Sequence, residues 1–169
     1  MANVGKSESA SKQKRESSGG QDAISLLTKD HNNVKELLKN FEQLRKEKAA
    51  ANRRREIALQ ICNELKVHTQ IEEEIFYPGV REFLEDQSMI DEALVEHQSA
   101  KSMIKQIESM DAGDELYDAS VTVLGEYVKH HINEEERELF PEVKSSDADT
   151  IALGEELMER KEELMNKLH

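Results

Sequence analysis

Two stretches of the 169-residue sequence set a histidine four positions ahead of a glutamate: His68-Thr-Gln-Ile-Glu72 and His131-Ile-Asn-Glu-Glu135. Residues four apart on a helix share a face, about 5–6 Å apart at Cβ, so each pair offers an imidazole nitrogen and a carboxylate to one point. His31 and His97 add one imidazole each from other parts of the chain. A single histidine on an apolar stripe is commonly just a satisfied core residue. An ionised glutamate there is different, because burying an unpaired charge costs on the order of several kcal/mol. Four helices that each bury a histidine, two of them with a glutamate one turn on, need a counter-charge. A pair of cations supplies it. Imidazole and carboxylate donors without sulfur suit iron, manganese, zinc or copper, and disfavour calcium and magnesium. Glu72 and Glu135 can each reach across two ions, roughly 3.5–4 Å apart as in other two-metal sites.

The elements that must position these six donors are legible as apolar stripes at helical spacing. Ile24, Leu27, His31, Val34, Leu38 and Phe41 mark a first helix, with Asp22 as its N-cap. Ile57, Ile61, Leu65, His68, Glu72 and Ile75 mark a second, which the spacing ends at Tyr77-Pro78-Gly79. Ser88 is placed to cap a third, with Ile90, Ala93, His97, Ala100, Ile104 and Ile107 inward. The fourth runs from about Asp114, with Leu116, Val121, Leu124, Val128, His131, Glu135 and Leu139 inward, and is expected to stop before Pro141. Leu153, Leu157, Leu164 and Leu168 mark a shorter fifth helix outside the bundle. No stretch alternates as a strand does. The expectation is an all-α, antiparallel up-down four-helix bundle with a short fifth C-terminal helix.

An internal repeat ties the site to this architecture. The segment from His68 to Pro78 superimposes on that from His131 to Pro141 at a constant offset of 63 residues, with histidine, glutamate, aromatic and proline all coinciding. Asp30-His31 and Glu96-His97 each put an acid before an inward histidine. The chain reads as two related helical hairpins whose stripes face one another.

Composition narrows the function classes. A net charge of −13 disfavours nucleic acid and anionic membranes as partners. The single cysteine, Cys62, rules out an intramolecular disulfide framework and a cysteine-ligated cluster. No apolar run approaches the roughly 20 residues that span a bilayer, and the basic, Ser- and Gly-rich residues 1–20 have no hydrophobic stretch. These residues are expected to be a disordered tail, residues 21–169 one domain, and the protein cytoplasmic.

Taken together, an inward histidine on helix one, His-x-x-x-Glu leading to Tyr-Pro on helix two, a histidine on helix three and His-x-x-x-Glu leading to Phe-Pro on helix four resemble the hemerythrin-like HHE cation-binding family. The likeness covers about residues 22–165. It implies a non-haem di-iron centre bridged by carboxylates and an oxo or hydroxo group, with His31, His68, Glu72, His97, His131 and Glu135 as ligands. Zinc or manganese are the alternatives. Its small ligand would be oxygen, peroxide or nitric oxide, with a role in oxidative or nitrosative stress. Ferritin-like bundles place the acid first, in Glu-x-x-His pairs; the order here is reversed. The chain also departs from the oxygen-carrying hemerythrins. Lys101 stands where their third helix has a second histidine, and Glu135 comes four residues after its histidine rather than an aspartate at five. One imidazole fewer implies a more open iron, filled by water, Tyr127 or another carboxylate. That favours catalase-like peroxide turnover, or sensing or storage of oxygen, nitric oxide or iron, over reversible oxygen carriage; a purely structural metal is the third reading.

Other residues receive lesser roles. His130 and His169 are expected in solvent, and Glu73, Glu74, Glu134 and Glu136 on an acidic outer face. Glu64 is a candidate to orient the free nitrogen of His68. Tyr77 and Phe140 are expected to plug the end of the bundle, and Lys101 to reach solvent.

Overall fold

The structure, a computed structural model, describes residues 20–168. The expected tail (residues 1–19) and His169 lie outside the described residues. Among the described residues every regular element is helical. The first helix, Ala23–Lys46, starts where Asp22 accepts hydrogen bonds from the N–H groups of Ile24 (2.9 Å) and Ser25 (3.3 Å). The second, Ala51–Ile71, returns antiparallel to it. The third, Ser88–Ser109, and the fourth, Tyr117–Glu134, form the other hairpin. The fifth, Thr150–Lys167, packs on the first and second helices from outside.

Several boundaries differ from the sequence expectation. Neither proline stops its helix. Glu72–Phe76 and Glu135–Leu139 are π-turns, and helical backbone continues beyond each through Tyr77–Val80 and Phe140–Ser145. A proline ring in a regular helix strikes the carbonyl four residues back. The wider π-turn displaces that carbonyl, so Pro78 and Pro141 are accommodated. The extra residue per turn also shifts the buried stripe: Phe76 and Tyr77 are buried while Ile75 is only partly so. The third helix is preceded by Gln87, with Asp86 rather than Ser88 supplying the capping carboxylate, to the Ser88 N–H at 3.0 Å. Leu116 is 66% exposed, because the fourth helix begins only at Tyr117 and leaves it in the preceding turn.

The core divides into two apolar clusters. One holds Leu27, Val67, Ile71, Phe76, Tyr77, Phe140 and, from the fifth helix, Leu157 and Leu164. The other holds Val34, Leu38, Phe41, Ile61, Leu65, Ile104, Leu124 and Val128. The buried polar residues His31, His68, Glu72, His97, His131 and Glu135 are the ones at which these stripes change from one cluster to the other.

Gly154 explains how closely the fifth helix approaches. A Cβ there would lie 1.9 Å from the Gln21 carbonyl oxygen and 2.8 Å from the Ala23 nitrogen. Beside it, the Thr150 hydroxyl donates to the Asp22 carboxylate. Gly154→Ala is therefore expected to cost about 1–3 kcal/mol by overpacking. Urea denaturation measures this, and an unchanged midpoint would contradict the close approach.

Candidate metal centre

All six sequence-predicted donors are buried and converge, one histidine from each of the four bundle helices and one glutamate from each of the π-turns that follow the second and fourth. They fall into two quartets that share both carboxylates: His31, His68, Glu72 and Glu135, and His97, His131, Glu72 and Glu135. Within each quartet the donor atoms lie within 4.8 Å of one another. The carboxylates are oriented as bridges. Glu72 Oε1 is 2.5 Å from His68 Nε2, while its Oε2 is 3.2 Å from His97 Nε2. Glu135 Oε2 is 3.2 Å from His31 Nε2, while its Oε1 is 3.4 Å from His131 Nε2. The two imidazoles of each quartet bring their Nε2 atoms to 3.2 Å of each other.

Each histidine is held by a carboxylate at its other ring nitrogen, as metal-binding imidazoles usually are. His31 Nδ1 meets Glu136 at 3.0 Å and His97 Nδ1 meets Glu73 at 2.9 Å. His68 Nδ1 meets Asp30 at 3.2 Å and His131 Nδ1 meets Glu96 at 3.1 Å. The acids preceding His31 and His97 thus serve not their own neighbour but a histidine on the adjacent helix. Glu73 and Glu136, expected on an outer acidic face, are half-buried supports, each paired with a histidine of another helix. Glu64 does not take the role considered for it; Asp30 does.

Tyr77 is the residue the sequence expectation misplaced. Its hydroxyl donates to Glu72 Oε2 at 2.5 Å and to Glu135 Oε1, and lies 3.2 Å from His97 Nε2. It does not plug the bundle end; it is a further donor inside the second quartet. In a regular helix Tyr77 would point well away from Glu72, and the π-turn brings it round. Its counterpart in the repeat, Phe140, instead stacks on His31 with ring centroids 5.6 Å apart. The two halves are therefore alike in their four imidazoles and unlike at this position. Tyr-Pro in one repeat and Phe-Pro in the other was the available signal. Tyr127 is not among these donors. Lys101 is 42% exposed at its side chain and pairs with Glu73 at 2.6 Å, whereas His130 is exposed and pairs with Glu134.

Electrostatics are those of a site built for positive charge. Burial opposes charge on His68 and His131, but Glu72 and Asp30 push the first up to about 10, and Glu135 and Glu96 push the second up to about 11. Burial and the neighbouring Glu72 would raise Glu135, yet His131 and His31 pull it down to about 2. Glu72 is also held well below the usual carboxylate range, by His68 and His97 against its burial. Burial and the two carboxylates hold the Tyr77 phenol well above its usual range, so it remains a donor. Even so, Glu72 Oε1 and Glu135 Oε2 have no well-aligned hydrogen bond, and each meets only an imidazole nitrogen, of His68 and of His31. Both face the first quartet, and buried oxygens so poorly satisfied are what a cation would complete. The residues present fit a bridged metal pair.

A cavity of about 20 Å³, the size of a water molecule or a diatomic, abuts the four histidines on the side of the second apolar cluster. Val34, Leu65, Ala100 and Val128 make its walls largely apolar.

The sequence pattern of the hemerythrin HHE cation binding domain matches residues 22–143. The chain belongs to that family. The structure is similar to the crystal structure of a hemerythrin HHE cation binding domain-containing protein from Mycobacterium kansasii, at a TM-score of 0.71 and 24% identity, covering 87% of this chain and 89% of that one. That likeness concerns the fold. No curated protein sequence matches significantly. Among the described residues no helix is long and apolar enough to cross a membrane.

Proposed function

We propose that the domain holds two iron ions through His31, His68, Glu72, His97, His131 and Glu135, and that the centre turns over peroxide in defence against oxidative or nitrosative stress, in the cytoplasm. The observation that carries the reading is that Glu72 and Glu135 each put one oxygen in each quartet. Two irons held by these six residues would supply a redox couple able to exchange two electrons with peroxide or dioxygen. The chain's own residues do the rest. Asp30, Glu73, Glu96 and Glu136 fix the ring orientation and tautomer of the four imidazoles. The water-sized apolar cavity admits a small ligand and keeps bulk water out. Tyr77 offers a proton at the bridging carboxylates. Disproportionation balances without an outside reductant, as two hydrogen peroxide molecules yield two waters and one dioxygen.

The test is metal analysis with an optical spectrum, followed by peroxide assay. About two irons per chain, a near-ultraviolet charge-transfer band and evolution of one dioxygen per two peroxides are expected. His68→Ala should abolish the band and the turnover. A colourless, zinc-only protein would overturn the iron assignment. Substoichiometric consumption with bleaching would replace turnover by sensing or storage of oxygen, nitric oxide or iron.

A further inference from the structure

The two hairpins repeat each other closely around the buried donors, and the places where the repeat breaks are informative. Three of the four carboxylates behind the histidines are neutralised by a lysine. Asp30 takes Lys161 of the fifth helix, Glu73 takes Lys101, and Glu136 lies 3.7 Å from Lys35. Glu96, the counterpart of Asp30, has no such partner: among the described residues no lysine or arginine pairs with it. What faces Glu96 instead is His130 and Glu134, and one donor atom from each of the three lies within 4.8 Å of the others. At the matching positions of the first hairpin stand Val67 and Ile71, which are buried in the same cluster as Leu157 and Leu164 of the fifth helix. The fifth helix covers that side of the bundle and leaves this one open.

The opening leads inward. A shallow depression lined by Asp91, Glu92, Val95, Glu96, His130 and Glu134 shares Glu92, Glu96 and Glu134 with a narrow crevice between the third and fourth helices. The crevice ends on His131 and Glu135. Glu135 is 3% exposed. Neither the depression nor the crevice has a lysine or arginine in its lining. A path whose acidic residues face no lysine or arginine concentrates cations, and a histidine with two glutamates at ligand spacing selects borderline divalent ions over calcium or magnesium.

We propose that Glu96, His130 and Glu134 form an outer divalent-cation site at the mouth of this crevice, through which metal reaches the buried pair. Glu96 links the two levels: one oxygen supports His131 while the other side of the carboxylate faces the mouth. An ion held there does what a lysine does for the other three carboxylates, and it is labile because the site is open to solvent. The proposal deepens the metal-binding reading above and rests on it.

The experiment uses the full chain and His130→Ala/Glu134→Gln, two residues whose side chains pair with each other and hydrogen-bond none of the six buried donors. Fe²⁺ is added at limiting concentration to metal-free protein in air-saturated buffer, where dioxygen oxidises the bound iron, and loading is followed by growth of the near-ultraviolet band. Mn²⁺ is titrated separately into metal-loaded protein, with the loss of free-ion EPR signal reporting binding. The wild-type chain should bind one Mn²⁺ beyond the buried pair, and the variant none. Loading of the variant should be slower by about tenfold, the lower range of electrostatic steering, with the final iron content unchanged. Unchanged Mn²⁺ binding would overturn the outer site, and an unchanged loading rate would overturn its role in entry. Failure of the wild-type chain to take up any buried iron would instead count against the proposed di-iron function; the outer site is then read by titrating Mn²⁺ into both iron-free chains, where the variant should bind one ion fewer and equal binding would overturn the site.

Discussion

Stripping metal from the purified protein is expected to lower its thermal midpoint by roughly 8–16 °C, and the gap is expected to widen as pH rises from 6 to 9. A ligand that binds only the folded state at a thousand times its dissociation constant stabilises by about 4 kcal/mol, and 1 kcal/mol moves the midpoint of a domain this size by about 2–4 °C. The pH dependence follows from the signs. In the metal-free chain His68 and His131 are pushed up to about 10 and about 11, above the ordinary imidazole value. Their ion pairs therefore contribute fully below about pH 6.5 and are lost progressively as pH climbs to those values. Glu135, lowered to about 2, contributes above about pH 4.5 and is lost as pH falls toward 2. The metal-free chain is accordingly most stable near pH 5–6.5. Metal competes with protons for the same nitrogens and carboxylates, so the loaded protein gains where the metal-free one weakens. Scanning calorimetry at several pH values with and without chelator checks both parts. A gap that stays constant or narrows with pH would mean that the histidines do not carry the metal.

The second large effect is expected from Glu135→Gln. The amide matches the carboxylate in shape but lacks the charge and the second anionic oxygen, so it cannot join the two quartets. Replacing a residue that merely supports a metal ligand costs about 10–100-fold in affinity. Removing a proposed bridge should cost more than that, leaving at most one ion per chain by metal analysis and no oxo-type band. Circular dichroism should still report a folded helical bundle, because the apolar clusters on either side do not include Glu135. Two tightly bound ions in this variant would show that the carboxylate does not bridge.

The sequence exposed the bundle because each helix carries its own periodic stripe, and the internal repeat made the six donors visible together. What it concealed has two physical sources. A π-turn adds a residue to a helical turn without any composition signal, so 3.6-residue counting rotates everything after Glu72 and Glu135 out of place. Such counting puts Tyr77 at the bundle end, whereas its hydroxyl lies among the buried donors. The supports Asp30 and Glu96 were noticed as acids beside histidines, but their true partners lie on neighbouring helices, and pairing across helices is not written in local spacing. Lys161 is a similar case, since it reaches Asp30 across 131 positions of chain.

The sharing of Glu72 and Glu135 bears on how the chain assembles. Each quartet takes three donors from one hairpin and borrows the fourth from the other. Neither hairpin can complete a coordination sphere alone, yet each already carries a tridentate grip. A first ion caught by one hairpin would recruit the glutamate of its sibling, and the reciprocal loan would close the second sphere. The metal pair then acts as a clasp between two independently formed halves, so the docking step of folding should accelerate with metal concentration while hairpin formation does not.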